Sequence, residues 1–183
     1  AGIGFFFAPT FHPSMKRAGP ARSAMGVRTA FNLLGPLTNP AGALRQLVGV
    51  PRPEFTELLA RSLLLLGSER AWVVHAADGV DEISTTGYTK VSECRDGSVN
   101  TFYIHPGDVG LLKAPAAAPT GGDAQENPRI IKAVLAGTKG PARDVTLLNA
   151  GAALYIAGQA ASVREGIERA GSVVDSGDAA RVL

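Results

Sequence analysis

Hydrophobic positions along this 183-residue chain fall into two patterns, short continuous apolar runs and longer stretches with helical spacing. The runs at 44–50 and 71–75 predict buried strands, and the stretch 54–66 between them has apolar residues three or four positions apart, which predicts a helix. A strand, a helix and a strand in this order predict a βαβ unit and therefore a parallel pair of strands.

The rest of the chain predicts an α/β fold, a mixed sheet flanked by helices. Two antiparallel strands are predicted at 90–94 and 99–104, because Asp-Gly in the intervening Arg95-Asp-Gly97 favours a hairpin. Helices are predicted at 14–25, 29–34, 123–136 with Asp123 as cap, 143–157 and 162–173. The run 4–8, which Pro9 ends, predicts a buried strand that leads into the loop 9–13.

Composition narrows the class of protein. The chain is 45% hydrophobic and 19% charged, which is typical of a globular domain. Its net charge of +2 comes from scattered residues and gives little support for nucleic-acid binding. A lone cysteine, Cys94, favours a reducing, cytoplasmic location, and no apolar run reaches the roughly 18 residues of a membrane span. The start of the chain, which lacks Met and a signal pattern, reads as the middle of a longer sequence.

Adjacent carboxylates at Asp81 and Glu82 are the first candidates for chemistry. They follow the predicted strand 71–75, and open α/β sheets bind ligands beyond the carboxyl ends of their strands. Carboxylate oxygens without a nearby His or Cys suit Mg²⁺, which binds together with waters and substrate phosphates. By residue type alone a solvated surface pair is the more common case.

Three further segments could contact a ligand. The guanidinium of Arg22 could hold a carboxylate through two parallel hydrogen bonds, although a surface role is also open. His12 could donate a hydrogen bond to a ligand or satisfy backbone groups, and Pro36 lies in a rigid loop at 32–40 that a flat ligand could approach. The segment 121–127 resembles a phosphate-cradling loop before a helix, but it lacks the Lys-Ser/Thr pair of a Walker site.

In combination these segments resemble the anthranilate phosphoribosyltransferase family, in the right order and over essentially the whole chain. The quoted motifs are Phe-Ala-Pro-Thr-Phe-His-Pro at 7–13, Arg-Ser-Ala-Met-Gly-Val-Arg-Thr-Ala-Phe-Asn-Leu-Leu-Gly-Pro-Leu-Thr-Asn-Pro at 22–40, Asp-Gly-Val-Asp-Glu at 78–82, Gly-Gly-Asp-Ala-Gln-Glu-Asn at 121–127, Gly-Pro-Ala-Arg-Asp at 140–144 and Leu-Asn-Ala-Gly-Ala-Ala-Leu at 148–154. The resemblance implies a nucleoside phosphorylase/phosphoribosyltransferase-like fold with part of a small helical domain.

The resemblance also implies an activity. Members transfer phosphoribose from 5-phosphoribosyl pyrophosphate to anthranilate in tryptophan biosynthesis, usually as homodimers, and release pyrophosphate. By this resemblance Arg22 would hold the anthranilate carboxylate, Pro9, His12 and Pro36 would line the acceptor tunnel, and Asp81 and Glu82 would bind Mg²⁺.

The resemblance divides the chain into three parts. Residues 1–13 would be a strand and the acceptor loop of the α/β domain, 14–40 would be helices and hinge of the helical domain, and 41–183 would be the C-terminal part of the α/β domain. A non-catalytic nucleic-acid-binding relative, a pyrimidine-nucleoside phosphorylase and a purely structural fragment are the alternatives.

Three departures from the family pattern matter. Its Gly-Thr-Gly-Gly-Asp phosphate loop and Lys-His-Gly-Asn segment do not occur in these residues, so we expect the 183 residues alone to be inactive. Met15 stands where many relatives carry an aromatic residue, which would alter the tunnel wall. Ala76 replaces a common glycine.

Overall fold

Four strands form one mixed sheet in the computed structural model, which describes residues 2–11, 24, 26, 31–116 and 121–183. In spatial order they are β1 (Arg45–Gly49), β2 (Arg70–Ala76), β3 (Thr89–Arg95) and β4 (Ser98–Ile104). β1 and β2 are parallel, and the other two pairs are antiparallel. The predicted βαβ unit, the hairpin and the α/β fold class are therefore confirmed.

Helices cover both faces of this sheet. In chain order they are α1 (Ala8–Phe11), α2 (Phe31–Leu34), α3 (Phe55–Leu65), α4 (Glu126–Leu135), α5 (Pro141–Ile156), α6 (Val163–Asp175) and α7 (Asp178–Val182), with 3-10 turns at Gly35–Thr38 and Pro106–Val109. The predicted helices over 54–66, 143–157 and 162–173 match α3, α5 and α6. Ser162 caps α6 by accepting a hydrogen bond from the Glu165 amide at 3.1 Å.

β2 is the centre of the core because both of its faces are covered. Ala71 and Val73 belong to the apolar cluster that includes α3, whereas Trp72 and Val74 belong to the cluster that includes α5 and α6. All four side chains are at most 2% exposed. A strand that is buried on both faces has no polar side to present, which explains why its sequence is a continuous apolar run.

The helical layer of α5 and α6 depends on two glycines. A Cβ atom on Gly151 would lie 2.6 Å from the backbone nitrogen of Ile167, and one on Gly166 would overlap the carbonyl of Gly151. The two backbones can approach this closely only where side chains are absent. This contact fixes α5, which also reaches the candidate site described below.

The N-terminal strand predicted at 4–8 is wrong. Residues 2–7 have no regular secondary structure, and α1 follows as a single helical turn. A strand needs hydrogen bonds from a neighbour, and this run pairs with none of the four strands. Phe6 instead contacts Phe11 at the end of α1, with ring centres 4.8 Å apart, and both rings remain exposed.

Other boundaries differ slightly from the predictions. The helix expected from 123 begins at Glu126, and α7 was not predicted. The predicted helix 14–25 lies outside the described residues except for Ala24, and only the end of 29–34 is described, as α2. None of the described helices is long and apolar enough to span a membrane.

Candidate active site at the carboxyl end of the parallel strands

Asp81 and Glu82 lie on a turn that follows the carboxyl end of β2, beside the end of β1. The turn closes where the Gly79 amide donates to the Ala76 carbonyl at 2.9 Å and the Ala76 amide donates to the Val80 carbonyl at 3.0 Å. Both acidic residues are exposed. The structure thus places the predicted carboxylates at the sheet edge where parallel α/β sheets bind ligands. We call residues 78–86 the carboxylate turn.

The end of β1 provides the first support for this turn. A Cβ atom on Gly49 would lie 2.7 Å from the carbonyl carbon of Asp81 and would overlap its carbonyl oxygen. Only glycine therefore lets the backbone of Asp81 pack directly on β1. The position of Asp81 is set by the absence of a side chain one strand away.

Asp78 provides the second support. Its carboxylate accepts hydrogen bonds from the hydroxyls of Ser84, at 2.5 Å, and Thr86, and from the amide of Val80 at 3.3 Å. Partial burial works to raise the pKa of Asp78, but the bonds from Ser84, Thr86 and Val80 outweigh it, so that the pKa lies below its usual value. The charged carboxylate therefore joins the two ends of the carboxylate turn.

Asn149 on α5 provides the third support. Its side-chain oxygen accepts from the Ile83 amide at 3.0 Å, and its side-chain nitrogen donates to the Ile83 carbonyl at 2.8 Å. The same nitrogen donates to the Val145 carbonyl at 2.9 Å, one turn earlier in the helix. An amide side chain here occupies the place that a neighbouring strand would take, and it satisfies both backbone groups of a fully buried residue.

The carboxylates on this held backbone have the chemistry of a hard-metal site. Among the described residues, neither Asp81 nor Glu82 makes a salt bridge, and no third His, Cys, Asp or Glu joins them in a metal-binding group. One or two carboxylates, completed by waters and substrate phosphates, are the usual protein ligands of Mg²⁺. The donor set therefore fits Mg²⁺ bound together with a phosphorylated ligand, and it does not form an all-protein cage.

A cleft of about 660 Å³ adjoins the turn. Glu82 and Ser84 of the turn line it together with mainly apolar residues of α4 and α5, among them Ile131 and Val145. Gly121 and Asn127 line it as well. Glu82, one of the two candidate metal ligands, therefore borders a space large enough for a small molecule.

The amides of the segment 121–127 do not form the phosphate cradle that the sequence suggested. The amides of Gln125 and Glu126 donate to Asp123 at 2.8 and 2.9 Å, and the Gly122 amide donates to the Asn127 side chain at 2.8 Å. These backbone bonds lower the pKa of Asp123. A carboxylate of the chain itself already occupies the position that a phosphate would take, so this interpretation is wrong.

The predicted acceptor residues are described only in part. Pro36 is half-buried in the turn Gly35–Thr38, whose Leu37 packs against the apolar cluster that contains Val48 and Val50. This places Pro36 on the α3 side of the sheet. The backbone at Pro9 forms part of α1. Arg22, His12 and Met15 lie outside the described residues.

Sequence reasoning did not single out Gly49 or Asn149. Gly49 stands inside an apolar strand, where an isolated glycine indicates close approach of another backbone. Asn149 is the one polar side chain in the apolar stretch 147–154 of its helix, where asparagine is unfavourable unless its amide has a specific partner. Both signals were present, but neither identifies the partner segment.

The fold and this site define a class, the glycosyl transferases with an α/β domain. The chain belongs to the glycosyl transferase family, a/b domain, which it matches over residues 1–180. It is similar to anthranilate phosphoribosyltransferase of Azorhizobium caulinodans, with 56% identity over 178 residues, 97% of this chain and 52% of the relative. It is also 55% identical over 182 residues to the enzyme of that name from Symbiobacterium thermophilum, covering 100% of this chain and 53% of the relative.

Solved structures agree on the fold. The crystal structure of anthranilate phosphoribosyltransferase from Thermus thermophilus superposes with a TM-score of 0.91 at 43% identity, covering 99% of this chain and 54% of that one. The Saccharomyces cerevisiae enzyme in complex with PRPP and Mg gives 0.86 at 30% identity, covering 94% and 50%. The chain thus spans about half the length of these relatives, and it matches their C-terminal portion.

Proposed function

We propose that this chain is part of an anthranilate phosphoribosyltransferase, which transfers phosphoribose from 5-phosphoribosyl pyrophosphate to anthranilate. The products are N-(5-phosphoribosyl)anthranilate, a precursor of tryptophan, and pyrophosphate. The observation that carries the proposal is the carboxylate turn, because Asp81 and Glu82 are exposed at the strand ends while the backbone beneath them is held by Gly49 and Asn149.

In this proposal Asp81 and Glu82 hold Mg²⁺ against the pyrophosphate of the donor. When bound, Mg²⁺ supplies charge that neutralises the departing pyrophosphate. The protein's part is to hold both carboxylates in place before the donor arrives, so that no reorganisation is needed as the negative charge develops. One support is that the turn carries two carboxylates, which are ligands that Mg²⁺ prefers. Another is the yeast relative, whose structure is a complex with PRPP and Mg.

We assign the binding of the acceptor, anthranilate, to the residues that the family resemblance indicates. Arg22 binds the carboxylate of anthranilate through paired hydrogen bonds, and Pro9, His12 and Pro36 line the tunnel around the ring. The amine of anthranilate forms a bond to the anomeric carbon while the bond to pyrophosphate breaks, and the nitrogen releases one proton to the departing pyrophosphate or to water. Fixing the two reactants in this alignment is the main catalytic contribution. The yeast relative in complex with 4-fluoroanthranilate supports an acceptor of this kind.

Two further properties belong to the proposal. We assign the protein to the cytoplasm, in keeping with its buried and unpaired Cys94. We also propose that it is a homodimer that forms through the helical domain. Light scattering after size-exclusion chromatography measures this oligomeric state directly. A monomer at micromolar concentration would contradict it.

The test is the consumption of anthranilate, followed by its fluorescence, with Mg²⁺ and 5-phosphoribosyl pyrophosphate. The protein is a full-length hybrid in which this chain follows the upstream residues of the Azorhizobium relative. We expect donor-dependent turnover, which falls on the order of 100-fold or more in Asp81→Ala/Glu82→Ala, because the leaving charge loses its counter-ion. Arg22→Ala should raise the KM for anthranilate.

The matched control is Asp96→Ala, which removes an exposed carboxylate from the β3–β4 hairpin. It should leave turnover unchanged. A folded hybrid without turnover, or a double variant as active as this control, would refute the proposal.

A further inference from the structure

The side-chain amide of Asn149 connects the carboxylate turn to the helical core. We propose that Asn149 is a positioning residue for the metal site, one that sets the direction of the backbone carrying Asp81 and Glu82. The part that Asn149 would play in catalysis rests on the proposed function. Asn149 lies in the Leu-Asn-Ala-Gly motif at 148–151, which the proposed function leaves without a role.

Asn149 fixes both peptide groups that flank Ile83. Its oxygen binds the Ile83 N–H, which belongs to the peptide group shared with Glu82, at 3.0 Å. Its nitrogen binds the Ile83 carbonyl, which belongs to the next peptide group, at 2.8 Å. Two hydrogen bonds on consecutive peptide planes fix the direction of the backbone directly after Glu82, which is one of the two proposed metal ligands.

The helix that carries Asn149 is itself tightly packed in the core. Leu148 and Ala152 on either side are fully buried, and the backbone of Gly151 lies against α6. The third hydrogen bond, to the Val145 carbonyl, restricts the rotation of the amide. Asn149 therefore holds the turn to a packed element, which is how supporting residues keep metal ligands in a productive geometry.

Loss of this amide would act first on the metal ligands. Ile83 is fully buried, so its side chain should stay in the core while its N–H and C=O lose their partners. Unpaired backbone groups of a buried residue are costly, and the adjoining exposed turn is the part free to rearrange. We therefore expect weaker binding of Mg²⁺ and of the donor, without a matching effect on anthranilate.

The experiment compares three variants in the full-length hybrid. Asn149→Leu keeps the branched shape of the side chain and removes all three hydrogen bonds, whereas Asn149→Asp keeps the acceptor for the Ile83 N–H and loses both donated bonds. Leu147→Ala is the control, because it weakens the same helix in the core and removes none of the hydrogen bonds between α5 and the turn. Each is assayed for the Mg²⁺ concentration at half-maximal rate and for the KM of each substrate, and Mn²⁺ binding is measured by electron paramagnetic resonance.

We expect Asn149→Leu to raise the half-maximal Mg²⁺ concentration about tenfold or more, the range seen when groups that orient metal ligands are removed. The KM for anthranilate should change less than about twofold, and Asn149→Asp should be intermediate. Leu147→Ala should lower thermal stability with no change in Mg²⁺ dependence. If Asn149→Leu does not fold, Asn149→Asp decides the question.

A folded Asn149 variant with the Mg²⁺ dependence of the control would overturn the proposal and leave Asn149 a purely structural residue. Equal increases in the half-maximal Mg²⁺ concentration and in the KM for anthranilate would overturn it as well. If the unsubstituted hybrid shows no turnover, the proposed function fails, and Mn²⁺ affinity alone then tests Asn149. Equal Mn²⁺ affinity with and without the substitution would refute the role.

Discussion

The charged side chains at the two ends of β2 are used in opposite ways. At its amino end, Arg70 donates to Glu93 at 2.8 Å and to the carbonyl of Tyr155 at 2.9 Å, and its guanidinium lies 3.9 Å from the centre of the Tyr155 ring. The Arg70 and Glu93 side chains are only 12% and 16% exposed. Beyond its carboxyl end, Asp81 and Glu82 are exposed and make no ion pair with other described residues.

This difference separates charges that stabilise the fold from charges available to a ligand. At the amino end the ions neutralise each other, and Trp72 adds a hydrogen bond to Glu93 at 2.9 Å. At the carboxyl end Gly49, Asp78 and Asn149 hold the backbone, and the two carboxylates have no ion-pair partner among the residues that the structure describes. Restraint of the backbone without neutralisation of the side chains is the arrangement expected of a preorganised metal site.

The largest expected effect on the free energy of unfolding is at the amino end. Glu93→Ala leaves the largely buried Arg70 without its counter-ion and should destabilise the protein by about 3 kcal/mol. Urea denaturation measures the loss. Glu69→Ala, which removes the half-exposed partner of Arg45, is the matched control and should cost less than about 1 kcal/mol. Equal losses would show that burial of the pair is not what distinguishes this end.

Gly49→Ala should come next, at about 2 kcal/mol, because the new Cβ overlaps the Asp81 carbonyl and forces a backbone to move. The displaced turn should also bind Mn²⁺ more weakly. Gly97→Ala is a control that also alters a glycine, since nothing lies within 4 Å of its added Cβ and it lies far from the turn in the hairpin. Its cost comes from a positive φ of 76°, and it should leave Mn²⁺ binding unchanged. Unchanged Mn²⁺ binding in Gly49→Ala would remove Gly49 from the site.

Asp78 should contribute about 1 kcal/mol through its charged hydrogen bonds, and this contribution should depend on pH. Its pKa is lowered in the folded state, so the unfolded chain binds more protons in acid. The contribution is complete above the ordinary Asp pKa of about 3.9 and is lost as the pH falls through the lower folded value. Asp78→Asn should flatten the stability profile below about pH 4. If the unfolding free energy of Asp78→Asn falls below pH 4 as steeply as that of the unsubstituted protein, the turn does not depend on this charge.

The smallest effect on stability is expected for the proposed metal ligands themselves. Asp81→Ala/Glu82→Ala removes exposed charges without described ion-pair partners and should change the unfolding free energy by less than about 0.5 kcal/mol. The same variant should abolish Mn²⁺ binding. A large destabilisation would mean that these carboxylates stabilise the fold, as Glu93 does.

The sequence predicted the sheet well because its signals are local. The apolar runs that became β1 and β2 and the helical spacing of α3 each reflect burial of consecutive or periodic residues, and Asp-Gly set the hairpin. The strand at 4–8 failed because an apolar run becomes a strand only if another strand pairs with it, and no local pattern reports the pairing. The phosphate cradle failed because Asp123 took the amides that a phosphate would need.

By itself the sequence determined the α/β class, the parallel pair and the acidic pair Asp81 and Glu82 beyond its end, since each follows from residue type and spacing. Only the tertiary structure decided what holds that pair in place. Gly49 is 32 positions before Asp81 and Asn149 is 66 positions after Ile83 along the chain. Contacts over such separations depend on how the strands and helices pack, and packing brings these residues within a few ångströms because β1, β2 and α5 meet at one edge of the sheet.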